Sequence, residues 1–378
     1  LCFYWLWRDL FDRRVAFIST ILLIFLPSFW YYHARGFYHN AIFFDLLLVA
    51  VWLMWKALHK GEWWRYLLTG LAFGLAISVR TSEIFWVTGA GLVWLALNWR
   101  QLKVWRVSWL IGGAVIGILP ILLSNLQIYG EPFSFGYQVA LDIPLLTSGN
   151  GWSLLHQLVL PFGFQPRTIM LVLWEYIIKL QWWWFGLVMF GSGWAVYHHK
   201  LFTKPQINFV IKGSLACLGL IILYGSWRIS DNPTTPYAVT VATSYVRYFL
   251  PLYAFWLWPV GVWLSSWWCS GYKGKILVVG MLIIYVALSV NMVIFKSSDG
   301  LLTNKSNIQR FEATRLAVEK LLKPRRVIVA GITDKFFWPE HPVIINPITI
   351  NDYNGLKNLV RAQVAVYNFH TTWSKEEF

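Results

Sequence analysis

The sequence predicts an all-α polytopic transmembrane helical bundle followed by a small C-terminal extracytoplasmic α/β domain. Three observations carry that prediction. Of 378 residues, 57% are hydrophobic and only 13% are charged, with a mean hydropathy of +0.52. A water-soluble chain of this size has no interior large enough for so many apolar side chains. Apolar runs of span length recur between short polar loops, and after residue 295 the pattern changes to short strands and one charged helix.

A span takes about 20 apolar residues. Runs of that kind lie at 15–32, 41–58, 66–80, 84–99, 107–124, 180–197, 207–226, 248–269 and 276–295, after a partial run at 1–7. The short pair 66–80 and 84–99 reads as a tight hairpin turning at Arg80-Thr81-Ser82-Glu83. The chain opens at Leu1 inside an apolar segment, so one or more helices and a first outer loop are expected before it. Many of the 26 Trp and 18 Tyr stand at run ends, as in Trp63-Trp64, Trp182-Trp183-Trp184 and Trp267-Trp268, where interfacial belts form. Cys2, Cys217 and Cys269 lie in or beside apolar runs, with neither a disulfide framework nor metal-ligand spacing.

The net charge of +15 invites a nucleic-acid reading. The cations fall mostly in short loops between apolar runs, however, and that distribution orients a membrane protein. Alternate loops carry fourteen Lys and Arg, among them Arg13, Arg14, Lys56, Lys60, Arg100, Lys103, Lys200 and Lys273. The opposite loops carry six: Arg35, Arg80, Arg167, Lys179, Arg228 and Arg247. The fourteen mark the cytoplasmic side, which makes the chain a multi-pass protein of the plasma or inner membrane. The polar outer loops are then 33–40, 125–179 and 227–247.

Residues 1–295 form the membrane part and 296–378 the second domain. Helical periodicity covers 311–322, strand patterns cover 326–330, 343–345 and 364–368, and a helix fits 354–362. The span count places this domain and the C-terminus outside, against a simple charge count, because long terminal domains escape the charge rule.

The six outer cations sort by their neighbours. Arg80 has Glu83 three residues on, Arg228 has Asp231 three on, and Lys179 has Glu175 four back, spacings that neutralise. Arg35, Arg167 and Arg247 have no acidic residue within five positions. Arginines without a carboxylate at an outer membrane face call for an anionic ligand, and the planar guanidinium suits a phosphate. Outer carboxylates are Glu83, Glu131, Asp142, Glu175 and Asp231, and Asp45 lies a turn inside its span. None declares itself a base by spacing.

Several stretches resemble a known family. Tyr32-His-Ala-Arg-Gly-Phe-Tyr-His-Asn40 is similar to an outer-loop motif of GT-C type glycosyltransferases, the protein O-mannosyltransferase and lipid A aminoarabinose transferase superfamily with its bacterial relatives. Gly70-Leu-Ala-Phe-Gly-Leu-Ala-Ile-Ser-Val-Arg-Thr81 resembles its glycine-spaced helix, and Tyr129-Gly-Glu-Pro-Phe-Ser-Phe-Gly-Tyr137 an outer segment. Arg247-Tyr-Phe-Leu-Pro251 resembles the entry of a late helix, and Asp334-Lys-Phe-Phe-Trp-Pro339 a segment near the C-terminus.

The resemblance implies a GT-C-like bundle that transfers a sugar from a polyprenyl-phosphate-linked donor to a glycan, lipid or protein acceptor of the cell envelope. Membrane lipids are the remaining partners, and nucleic acid is not one. Substrate-binding residues would be Arg247, Arg35, Asn40, His39, Arg80, Glu83, Tyr248 and Arg167. The implied catalytic aspartate belongs to the outer loop expected before Leu1. The family carries Asp or Glu five residues after the motif arginine, where Asn40 follows Arg35 here, and this counts against a divalent metal. Rival classes are a lipid-linked glycan flippase or transporter and a catalytically inactive relative that binds polyprenyl phosphate.

Overall fold

The computed structural model describes residues 1–36, 38–98, 103–134, 163–227, 238–296, 299–330, 337, 340–345 and 350–369. It divides into two compact units, Leu1–Gly300 and Leu301–Phe378.

The first unit runs α1 Cys2–Leu10, α2 Arg13–Ile24, α3 Pro27–Arg35, α4 His39–Lys60, α5 Trp63–Val79, α6 Ile84–Asn98 and α7 Val104–Tyr129. The next described helix is α8 Pro166–Val172, continued by a π-helical turn Leu173–Lys179, then α9 Trp182–Tyr197 and α10 Lys204–Gly225. Short helices α11 Ser244–Tyr248 and α12 Leu250–Phe255 lead into α13 Leu257–Trp268 and α14 Tyr272–Val290. Among the described residues four helices are long and apolar enough to cross a membrane, or five if one bent pair counts as a span. The chain is a multi-pass membrane protein.

Capping residues set several of these boundaries. The Asp12 carboxylate accepts from the Arg14 and Val15 amides at 2.6 and 2.8 Å, starting α2. Thr203 and Gln206 form a reciprocal capping box at the start of α10, and Gln206 Nε2 also donates to Leu10 O at 2.6 Å, tying α10 to α1.

The tightest contact in the unit joins α5 to α7. Gly70 and Gly74 on α5 face Gly113 and Gly117 on α7, four residues apart on each helix. A Cβ on Gly70 would lie 1.9 Å from Leu110 O, and one on Gly113 would lie 2.0 Å from Leu67 O. Only bare backbones approach this closely, which is how helices associate where lipid removes the hydrophobic drive.

Two expected spans are interrupted, and proline is the reason. The run expected at 15–32 bends by 57° between α2 and α3, where Pro27 opens the second piece. The run expected at 248–269 begins earlier, at Ser244, and breaks at Phe249 and Trp256, just ahead of Pro251 and Pro259. Each proline removes an amide donor and clashes with the carbonyl four residues back. The pair 66–80 and 84–99 does turn at Thr81–Glu83, but it is not a tight hairpin: α5 packs on α4 and α7 while α6 packs on α10.

The second unit contains α15 Leu301–Glu319, β1 Arg326–Ala330, β2 Val343–Ile345, α16 Ile350–Arg361 and β3 Ala365–Phe369. The strands form a parallel sheet in the order β2-β1-β3. β2 and β3 flank β1 on opposite sides, and α16 lies on the chain that carries β2 across to β3. Ile328, Ala330 and Phe337 form the core under Val318 and Leu322. Buried His341 joins this core to α15, because Nε2 bonds Glu319 Oε1 at 2.9 Å and Nδ1 bonds Arg326 Nη2 at 2.7 Å. A guanidinium can only donate, so Nδ1 accepts and the ring gives its Nε2–H to Glu319.

Candidate functional site

Helix α5 stops at Val79, and Arg80 turns the chain with φ −148° into the short helix Thr81–Glu83. Both side chains of the sequence-expected pair are buried, 7% exposed for Arg80 and 3% for Glu83, with Arg80 Nε 2.8 Å from Glu83 Oε1. Tyr224, in the last turn of α10, donates its hydroxyl to Glu83 Oε1 at 2.6 Å and lies 3.3 Å from Arg80 Nη2. The Trp86 indole donates to the other carboxylate oxygen. Glu83 therefore receives one guanidinium and two neutral donors. That arrangement suits an anchor for Arg80 rather than a base, whose lone pair must face a substrate.

The second cation arrives on α11. Tyr32 donates its hydroxyl to Val241 O and Thr243 O at 3.1 and 3.0 Å, which fixes the approach to that helix. The Tyr245 hydroxyl donates to Trp227 O. Arg247 Nη2 then donates to Ser244 Oγ at 2.6 Å, and its guanidinium carbon lies 5.3 Å from the Tyr248 ring centroid. Arg80 lies 4.2 Å from that same centroid. Tyr248 also stacks on Tyr224 at 4.6 Å and lies parallel to Trp227 at 6.5 Å. One phenol ring thus brings Arg80 and Arg247 together, each at cation–π distance.

The third cation closes α3. Arg35 Nη1 donates to the Tyr31 hydroxyl at 2.8 Å, with the Tyr31 and Tyr38 rings 5.4 and 6.0 Å from its guanidinium carbon. Gly36 follows at φ +154°, a backbone that L side chains rarely adopt, and lets the chain turn into α4. His39 opens α4, and the charges of Arg80 and Arg247 both act on its imidazole. Arg247 and Arg35 both act on Tyr32. Asn40 is 3% exposed, and among the described residues neither end of its amide has a hydrogen-bond partner.

Of the residues singled out from the sequence, Arg35, His39, Asn40, Arg80, Glu83, Arg247 and Tyr248 thus gather at one end of the bundle. Arg167 does not join them: it is exposed in the first turn of α8, and no hydrogen bond or ion pair links it to the cluster among the described residues. Lys179 pairs with Glu175 at 3.2 Å, Glu131 accepts from Ser134, and Asp45 meets His33 Nε2 at 3.3 Å. Asp142, Arg228, Asp231, Asp334 and most of the 125–179 loop lie outside the described residues. Sequence reasoning missed Tyr224, Tyr31, Trp86 and Trp227, and it named Tyr32 only as the first residue of the 32–40 motif. Their one signal is an aromatic ring at a span end, which the belt explanation absorbs.

Among the described residues no three His, Cys, Asp or Glu side chains are grouped to hold a metal. Beside Arg35 stands the Tyr31 hydroxyl, and the neighbouring helix start adds His39 and the neutral amide of Asn40, with the Arg80 and Arg247 charges acting on His39. That set does not fit a divalent cation.

An apolar cavity of about 430 Å³ lies between α1, α4, α5, α6, α7, α10 and α12. Trp86, Leu220 and Pro251 line it, and Trp86 is the residue that bonds Glu83, so the cavity reaches the arginine cluster.

Residues 1–126 match the family model of dolichyl-phosphate-mannose-protein mannosyltransferases. No curated protein and no solved structure matches the chain. The matched third of the chain includes Arg35, His39, Asn40, Arg80 and Glu83, and the match supports a membrane glycosyltransferase of the GT-C type.

Proposed function

We propose that this chain transfers a sugar from a polyprenyl-phosphate-linked donor to an envelope glycan, lipid or protein at the extracytoplasmic face. The observation that carries this reading is the gathering of Arg35, Arg80 and Arg247 on tyrosine rings at helix mouths, next to an apolar cavity. Cleaving a sugar–phosphate bond puts negative charge on the departing lipid phosphate. Fixed guanidinium groups at the membrane surface stabilise that charge as it develops and need no reorganisation. The cavity offers the carrier's apolar tail a place within the bundle while the phosphate stays at the mouth.

In this scheme Arg247 contacts the carrier phosphate, Arg35 assists it, and Glu83 holds Arg80 against Tyr248. Asn40 offers both a donor and an acceptor to a substrate hydroxyl. In this reading the second unit, Leu301–Phe378, belongs to the extracytoplasmic side, as the span count of the sequence expects. The break between α2 and α3 gives the transporter reading some support, since broken helices also build transport sites. Proteoliposomes separate the two: transfer without flux identifies the enzyme, and flux without transfer identifies the transporter.

The test is transfer from a labelled polyprenyl-phosphate sugar by the full-length protein at matched expression. Arg247→Ala is expected to lose a charge-assisted contact of about 1.5–3 kcal/mol, roughly 10–150-fold in rate. Arg247→Lys is expected to recover part of it, because a point charge does not reproduce the planar fork. Wild-type transfer by a folded Arg247→Ala protein, alongside a dead Arg167→Ala protein, would assign the phosphate to the wrong arginine. Orientation is tested separately by cysteine labelling from outside, which should reach positions 135 and 235 but not 60 or 273.

A further inference from the structure

The apolar cavity has a second end, and a cation stands there. Among the described residues Lys212 is the one charged residue lining it; the other lining side chains are apolar apart from Thr88 and Cys217. Lys212 lies on α10 twelve residues before Tyr224, about 18 Å away along the axis at 1.5 Å per residue. It is therefore far from the arginine cluster, towards the Lys204 end of the helix. Its ammonium donates to Asn98 Oδ1 at 2.6 Å and lies 5.9 Å from the Trp94 ring. Among the described residues it has no ion pair within 4.0 Å. Asn98 gives its own amide to Trp94 O at 2.7 Å, so its carbonyl is all it offers. An ammonium has three donors, and the described residues use one.

A positive charge on the wall of an apolar cavity inside a membrane bundle is unfavourable unless an anion accompanies it. The described residues of the cavity wall supply no anion, and the bilayer does. We propose that the Lys212 end of this cavity binds an anionic phospholipid from the leaflet at the Lys204 end of α10, with its phosphate on the ammonium and an acyl chain in the cavity. Charge complementarity selects this occupant: a zwitterionic lipid brings its own cation, and a neutral one leaves Lys212 without a counter-charge. The site does not depend on glycosyl transfer. A purely structural role also exists for Lys212, at the C-terminal end of α6 where a cation meets the helix dipole, and lipid retention tells the two apart.

The full chain is purified in mild detergent, supplied with equimolar phosphatidylglycerol and phosphatidylethanolamine, and its bound lipids are counted by native mass spectrometry. Wild type is expected to retain phosphatidylglycerol preferentially. Lys212→Met is expected to lower that preference about tenfold, the scale of one charge-assisted contact, and Lys212→Arg to keep it. Ala216→Phe, which fills the cavity, is expected to reduce retention of both lipids. Equal phosphatidylglycerol retention by wild type and Lys212→Met would overturn the proposal, as would unchanged retention in Ala216→Phe.

Discussion

Glu83 is the residue at which anchoring and catalysis are most cleanly separated. Its carboxylate is 3% exposed and its partner Arg80 7%, so neither charge has much water to fall back on. Removing Glu83 leaves a buried guanidinium whose remaining contacts are Tyr224, Ser82 at 3.3 Å and the Tyr248 face. It also strips the acceptor from Tyr224 and Trp86. Breaking a buried pair in this way costs about 3–5 kcal/mol. The partial rescue by Tyr248 is worth about 1–2 kcal/mol, which places Glu83→Ala near the lower end. Because Arg80→Ala removes the same interaction, the double variant should cost well under the sum, with a coupling of about 2–3 kcal/mol. Reversible unfolding in mixed micelles, followed by helical circular dichroism, measures all three variants. Single costs under about 1 kcal/mol with no coupling would show that the pair is not the buried strut described here. Glu83→Gln then addresses function directly. It keeps the shape and loses the charge, so it should lower stability and transfer together. Abolished transfer at unchanged stability would make Glu83 a reacting carboxylate and refute its assignment as an anchor.

Two other outcomes follow from the packing. Gly113→Leu should force α5 and α7 apart, since even a Cβ there would sit 2.0 Å from Leu67 O. The cost is expected to exceed the usual 1–3 kcal/mol of overpacking because the obstacle is backbone; Gly112→Leu, with nothing within 4 Å, is the control that should be near neutral. In the second unit the hydrogen bond from His341, with help from the Arg315 and Arg326 charges, holds the Glu319 carboxyl below its ordinary value of 4.5. A depressed folded value means that Glu319 stabilises this unit fully above the ordinary carboxylate range and loses that effect as pH falls below it. Protease resistance around Arg325 and Arg326 should therefore decline on acidification in wild type but show a flatter profile in Glu319→Gln; identical profiles would sink the linkage.

Composition made the helical class legible because an apolar run of about 20 residues has few other uses. Short strands such as Arg326–Ala330 and Val343–Ile345 were also readable, since β-branched residues crowd together there. Hydropathy is blind to where a span breaks. Pro251 and Pro259 are apolar, so the run through 248–269 looks continuous, and only their missing amides divide it. Aromatic residues misled in the same way. Trp7 and Trp184 are 1% and 2% exposed and belong to the core, although they stand near run ends where a belt was expected.

The same ambiguity hid half of the site. Arginines are scarce on the six-cation side, so Arg35, Arg80 and Arg247 drew notice at once, and the Arg80–Glu83 pair is local enough to read from spacing. What gathers them is not local. Tyr224 is 141 residues from Glu83 yet bonds it, and Tyr248 lies between guanidinium groups contributed by the turn after α5 and by α11. A tyrosine at a span end has two explanations in sequence, the interfacial belt and a partner for charge. Only the three-dimensional arrangement decides between them. Here the decision goes to charge. Tyr31, Tyr224 and Tyr248 each face a guanidinium, and a phenol that faces a cation keeps it oriented without neutralising it. If the proposed transfer holds, a site that binds a phosphate and then releases it is better served by tyrosines than by more carboxylates, because each added carboxylate would cancel the field on which the leaving group depends.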